Sequence, residues 1–403
     1  MINQLKMTLE NKLPLPPAHT QGWPWIQDDK PSLITTEPGK HHLPVISIIT
    51  PSFNQAKFLE QTIRSVLLQG YPNLEYIIID GGSTDDSVEI IRKYEQHLAY
   101  WVSEPDRGQS HAINKGLEKS TGEIVAWLNS DDYYTPDTLD LVAKELSTAS
   151  GHFALVGHCL KVFSDNTPLW ICRGHFESLS RLLEFWNGYS MPQSSIFWRR
   201  EVFNRIGFLN EDHHYIMDFD YWVRIASHYN FRNIDKVLSH ATHHENAKTG
   251  DNYQTYYSHL RKWSETYWGT IPGIDGNALK ASLSEYDKFR SKVSAAINEI
   301  CTVIPAASDF ILVDEDQWET NDFIFGRRRI PFTEKNGTYN GIPSDGVTAL
   351  AELIRLKNEG VNFIVFTWAT FWWLKCFSNL SDYLTYDCNC RLKNPHLIIY
   401  ELK

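Results

Sequence analysis

Two polar clusters in the first third of the chain have residue types and spacing suited to a phosphate-bearing ligand. Asn129-Ser130-Asp131-Asp132 follows directly on the apolar run Ile124-Val125-Ala126-Trp127-Leu128. Adjacent carboxylates at the mouth of a buried strand suit Mg²⁺ or Mn²⁺, which prefer hard oxygen ligands and leave positions for phosphate oxygens. The same residues could instead cap a helix beginning near Pro136. In Asp80-Gly81-Gly82-Ser83-Thr84-Asp85, two glycines let backbone approach a ligand, and Asp80 can accept hydrogen bonds from a base or ribose. A tight strand-to-helix turn capped by Ser83 or Thr84 would use the same residues. No G-x-G-x-x-G follows the first strand, which argues against a dinucleotide oxidoreductase.

These clusters need a scaffold that brings them together. Val45-Ile46-Ser47-Ile48-Ile49-Thr50 is a β-branched strand pattern, and Phe58 to Gln69 follows with apolar residues at helical spacing. The alternation recurs through Tyr76 to Asp80, a helix from about Asp86 to Tyr94, Tyr100 to Val102, a helix from about Ser110 to Lys119, and Ile124 to Leu128. Such alternation predicts an α/β fold with a mostly parallel sheet covered on both faces. Ligands of open α/β sheets lie outside the carboxyl ends of the strands, so the loops at 50–54, 80–85, 104–108 and 129–132 should converge on one crevice. Residues 152–250 read as mixed strands and helices that complete it. The organisation expected is an arm over 1–43, a larger α/β domain that forms the crevice over 44–250, a helical connector over 251–305 and a smaller α/β domain over 306–403.

Composition narrows the partners. The chain has 403 residues, 42% hydrophobic and 22% charged, with a formal net charge of −11. Apart from Arg327-Arg328-Arg329 there is no basic run, which argues against a nucleic-acid backbone binder. The 6 cysteines form no C-x-x-C pair and fit a reducing compartment. No charged leader is evident, and no apolar run reaches the roughly 18 residues of a membrane span. The expectation is a cytoplasmic protein, with peripheral docking at the inner face of the membrane left open. The 14 Trp, 19 Tyr and 20 Phe could stack on sugar faces or fill cores.

Taken together, Val45 to Asn54, Asp80 to Asp85, Glu104-Pro105-Asp106-Arg107-Gly108 with Asn114-Lys115-Gly116, and Asn129 to Asp132 resemble the family 2 glycosyltransferases of the GT-A fold. The resemblance implies that Pro51, Asn54, Asp80 and Ser83 line the nucleoside pocket, and that Asp106, Arg107, Asn114 and Asn129 flank the ribose and diphosphate. It implies Asp131, beside Asp132, as metal ligand for Mn²⁺ or Mg²⁺. The family's D-x-D triplet begins here with Asn129, so one acidic contact is lost. Met217-Asp218-Phe219-Asp220 looks like the family's acidic segment, which implies Asp218 as the base that deprotonates an acceptor hydroxyl. Asp220 and Gln193, the latter from Met191-Pro192-Gln193-Ser194-Ser195, would face the acceptor. His244 would meet the metal and Lys248 the diphosphate.

The implied activity is inverting transfer from a nucleotide diphosphate-sugar, with UDP first by family resemblance and GDP and dTDP open, to a glycan or lipid-linked acceptor in surface polysaccharide assembly. A non-catalytic nucleotide-sugar binder of the same fold is the alternative. Residues 306–403 resemble half-Rossmann domains appended to some bacterial transferases. The arginine run there reads as solvated or salt-bridged surface, and Trp368 to Trp373 as core or interface.

Overall fold

The computed structural model describes residues 13–18, 20–25, 43–147, 151–187, 191–245, 247–248, 253–318, 324 and 326–403. Most of the expected arm lies outside them. The chain divides into two compact units, Met1–Leu279 and Lys280–Lys403.

In the first unit, β1 (Ile46–Ser52), α1 (Ala56–Leu67), β2 (Leu74–Asp80), α2 (Ser87–Tyr94), β3 (Tyr100–Ser103), α3 (Gln109–Lys119) and β4 (Ile124–Trp127) alternate as the periodicity predicts. These four strands are parallel, in the order β3-β2-β1-β4. Right-handed crossovers put α1 and α2 on one face and α3, which carries the chain back past β1, on the other. Ile46, Ile48, Ile49, Ile77, Ile78, Val125 and Trp127 are buried between the layers. A Cβ at Gly116 would strike Ile49, so glycine lets α3 close onto the sheet.

The sheet continues through β5 (Asp132–Tyr134), α4 (Thr138–Glu145), β6 (Ala154–Phe163), β7 (Pro168–Cys172), α5 (Leu179–Leu183), β8 (Ile196–Arg199), α6 (Arg200–Ile206), α7 (Met217–Ala226) and β9 (Phe231–His243). Strand β8 runs antiparallel to β4 and β6, β9 is parallel to β6, and β5 closes the edge antiparallel to β9. The result is a mixed sheet with a parallel half, the GT-A architecture. Helix α7 begins at Met217, so Asp218 and Asp220 both lie in its first turn. Neither is a cap. Helix α8 (Tyr253–Tyr267) ends this unit's regular structure, and α9 (Gly276–Val303) spans the division.

In the second unit, β10 (Asp309–Val313) lies between β11 (Arg328–Pro331) and β14 (Phe363–Thr367), parallel to both. A short hairpin, β12 (Glu334–Lys335) and β13 (Thr338–Tyr339), and α10 (Gly346–Asn358) come between. Asp345 caps α10 by accepting from the Thr348 amide at 2.8 Å. After α11 (Trp373–Cys376) and α12 (Ser378–Tyr386), β15 (Cys388–Lys393) and β16 (Leu397–Leu402) extend the sheet antiparallel. Trp373 is fully buried in this core, and Arg328 pairs with Asp309.

Candidate active site

The loops after β1 and β2 are stitched into one surface. Asn54, in a left-handed conformation (φ 52°), donates its amide to Ser83 Oγ at 2.8 Å and accepts from the Thr84 amide at 2.8 Å through Oδ1. Asp80 is fully buried. Its carboxylate accepts from the Ser83 amide (2.8 Å), the Gly82 amide (3.1 Å) and the Ser103 hydroxyl (2.7 Å), and from Ser83 Oγ at 2.5 Å. Asp80 therefore shapes the loop from beneath, while Pro51 is buried in β1. A Cβ at Gly81 would sit 2.7 Å from Asp106 Oδ2, so the glycine admits the third loop. Asp106 accepts from the Gly108 amide at 2.7 Å, holding that loop's turn at a glycine of φ +110°.

The flanking basic and amide residues are held from a distance in sequence. Arg107 donates Nε and Nη2 to the two oxygens of Glu211, at 2.9 and 3.1 Å. Asn114 is buried, donating to Leu209 O and accepting from the Leu209 amide, with Glu211 Oε1 at 3.4 Å. Lys248 Nζ donates to Gln109 Oε1 at 3.0 Å, and Gln109 Nε2 donates to Asn129 Oδ1 at 2.7 Å. Asn129 thus serves as the end acceptor of a relay that Gln109 carries from Lys248. Glu211 and Gln109 carried no signal of their own in the sequence.

Asp131 Oδ2 lies 3.0 Å from His244 Nε2, and the imidazole stacks on Phe58 at 4.5 Å. Asp132 turns inward and accepts from the Thr242 amide at 3.2 Å. Burial, and then the neighbouring Asp131 carboxylate, push its pKa up to about 8. Among the described residues no three His, Cys, Asp or Glu side chains cluster as a ready-made metal cage. Asp131 and His244 nonetheless offer one hard oxygen and one imidazole side by side. That is a set Mn²⁺ or Mg²⁺ can use when substrate phosphates supply the remaining ligands.

Asp218 keeps a solvent-reachable edge, yet the protein packed around its carboxyl raises its pKa. The Phe219 amide, 2.8 Å away, and the charges of Lys248 and Lys161 oppose that rise. Burial in turn pushes Lys248 down to about 8, against the pull of Asp218. Gln193 donates to Trp127 O at 2.8 Å, leaving its buried Oε1 without a partner. Asp220 is buried and accepts from Trp263 Nε1 and Arg224 Nε, each at 3.0 Å. It joins α7 to α8.

The fold therefore gathers Asp131, His244, Asn129 and Lys248 on one side and Asp218 within electrostatic reach of Lys248, while Asp80, Asn114 and Asp220 are engaged in holding loops and helices.

Residues 47–207 match the model of glycosyl transferase family 2. Over 131 residues the chain is 38% identical to the putative teichuronic acid biosynthesis glycosyltransferase TuaG of Bacillus subtilis, covering 31% of this chain and 51% of that one. Over 109 residues it is 40% identical to an uncharacterised glycosyltransferase of Mycobacterium tuberculosis, covering 27% and 41%. The chain thus spans about half or less of these relatives. Among solved structures, Staphylococcus aureus TarS 1–349 in complex with UDP-GlcNAc aligns with TM-score 0.44 and 19% identity, over 60% of this chain and 71% of that one. The mannosyltransferase PcManGT of Pyrobaculum calidifontis, in complex with GDP-Man and Mn²⁺, aligns with TM-score 0.45 and 20% identity, over 69% and 80%.

Proposed function

We propose that this chain, which carries a family 2 glycosyltransferase domain at residues 47–207, transfers a sugar with inversion from a UDP-linked donor to an acceptor hydroxyl. The observation that carries the reading is the convergence of the Asp131–His244 pair, the Lys248–Gln109–Asn129 relay and the half-buried Asp218 at the carboxyl end of one sheet. We assign the transferase unit to residues 44–250, with 251–305 as connector and 306–403 as an appended domain. The likeness to a teichuronic acid glycosyltransferase supports surface polysaccharide assembly as the setting. No described helix is long and apolar enough to cross a membrane.

In this reading the loops at Asn54, Ser83 and Asp106 line the nucleoside, with Pro51 and Asp80 supporting them. Arg107, Lys248 and Asn129 flank the diphosphate. Asp131 and His244, backed by Asp132, hold the divalent cation, which when bound offsets the charge of the leaving nucleoside diphosphate. The acceptor hydroxyl, oriented by Gln193, gives its proton to Asp218 as its oxygen bonds to the anomeric carbon. The bond from that carbon to the diphosphate oxygen breaks on the opposite side. A raised pKa suits Asp218 to the task, because a base nearer working pH is a better proton acceptor. Lys248 stabilises the charge that builds on the departing diphosphate.

A thermal-shift panel of UDP-, GDP- and dTDP-sugars with and without Mn²⁺ tests the donor class, since selective binding to the folded state raises apparent stability. Metal-dependent stabilisation by the UDP series is expected. Binding without any transfer would favour a non-catalytic nucleotide-sugar binder, and no binding would remove the reading's support.

A further inference from the structure

Beyond the diphosphate side, one row of residues crosses four strands toward an open edge. Asp132 on β5 is paired with Ala241 on β9, Ala241 with Lys161 on β6, and Lys161 with Trp170 on β7. Residues paired across neighbouring strands project from the same face. Trp170, Lys161 and Asp132 therefore stand on one side of the sheet. At about 4.8 Å per strand, the Trp170 backbone lies roughly 15 Å from that of Asp132. Phe163, two residues beyond Lys161, projects from the same face and meets the ring of His243 edge-on at 6.1 Å.

Trp170 is 53% exposed and Phe163 44%, whereas Cys159 and Ser239 in the next row are buried. Open aromatic rings of this kind offer an apolar face to a flat ligand such as a sugar ring. Lys161 lies between them. Among the described residues its ammonium makes no hydrogen bond or ion pair. Burial works against its charge and is the largest single influence, but Asp132, Cys159, Cys172 and Asp131 together outweigh it, and the group stays above the ordinary lysine value. It is a retained, undirected cation within reach of Asp218. In a chain of net charge −11, an anionic ligand gains little from the overall field and needs such a local anchor.

We propose that Lys161 and Trp170 form an acceptor subsite for a sugar bearing a negative charge, carboxylate or phosphate, whose ring lies on Trp170 while its anion meets Lys161. This rests on the transferase reading, with Asp218 as the base beside the acceptor. It goes beyond that reading by naming the acceptor's chemical class.

The test is ligand-observed NMR on the full chain with three probes: methyl glucoside, methyl glucuronide and glucose 6-phosphate. One or both anionic probes bind at least about tenfold tighter than the glucoside, the gain of one charge-assisted hydrogen bond. The probe preferred identifies carboxylate or phosphate. Lys161→Met removes the preference, Lys161→Arg retains it, and Trp170→Ala weakens all three probes. UDP binding by thermal shift stays unchanged in each variant, which also verifies folding. Equal binding of neutral and anionic probes, a preference that survives Lys161→Met, or no probe binding in protein that still binds UDP overturns the proposal. Failure of the wild-type chain to bind UDP counts instead against the transferase reading.

Discussion

His244 Nε2 lies 3.0 Å from Asp131 Oδ2, although 113 residues separate them. The pair forms because β9 delivers His244 beside the loop that leads into β5, and Phe58 holds the imidazole by stacking. If it is the metal-binding pair, Asp131→Asn and His244→Ala each abolish Mn²⁺-dependent stabilisation by UDP. Each also lowers kcat by about 10²-fold or more, the scale of losing charge stabilisation at a leaving group. Thermal shift with and without EDTA, alongside initial rates, checks this.

Asp218 has a pKa raised by burial, so its basic form is lost at higher pH than that of an ordinary aspartate. Transfer should therefore fall on acidification along a limb displaced upward from the usual carboxylate range near 3.9. The pH profile of kcat in wild type, set against that of Asp218→Glu, measures the displacement. A limb at the ordinary carboxylate value would contradict the assignment.

Asp220 receives Trp263 Nε1 and Arg224 Nε while buried, so its loss should appear in stability. Asp220→Ala leaves both donors without an acceptor and should cost roughly 2 to 4 kcal/mol in denaturant unfolding. A change in acceptor affinity at unaltered stability would instead make it an acceptor contact.

His240 is held neutral by burial, its pKa pushed down to about 4. The unfolded chain takes up a proton below about 6.5 while the native state does not, so stability is lost as pH falls from there toward 4. His240→Asn should remove up to about 2 to 3 kcal/mol of that acid sensitivity. Urea midpoints at pH 7 and pH 4.5 for both proteins measure it.

Arg107 and Glu211 form a bidentate but largely exposed pair, with side-chain exposures of 68% and 31%. Such pairs contribute under about 1 kcal/mol. Arg107→Ala should leave unfolding nearly unchanged while raising the KM for the donor, and steady-state kinetics with urea melts separates the two.

The parallel half of the sheet was legible because β1, β2 and β4 are buried on both faces and must be continuous apolar runs, while α1 to α3 repeat at helical spacing. The loops at their carboxyl ends followed from topology alone. Lys161 was not legible: its face depends on the parallel register of β6 with β9, a pairing between segments about 80 residues apart. Gln109 and Glu211 act through partners 20 and 104 residues away, where no local spacing marks them. The first turn of α7, which carries Asp218 and Asp220, is anchored by Met217 and Phe219, whose burial depends on tertiary packing that no local spacing marks. In the second unit, β15 alternates too weakly to stand out, since most of its side chains are exposed.

The central claim is single displacement assisted by Asp218. The direct measurement is the anomeric configuration of the first transfer product by proton NMR, with wild type and Asp218→Asn each given a UDP-sugar and an accepted glycan. We predict inversion relative to the donor, and transfer reduced about 10²- to 10⁴-fold in Asp218→Asn with UDP binding intact. Retention of configuration, or transfer by Asp218→Asn at the wild-type rate, would contradict it.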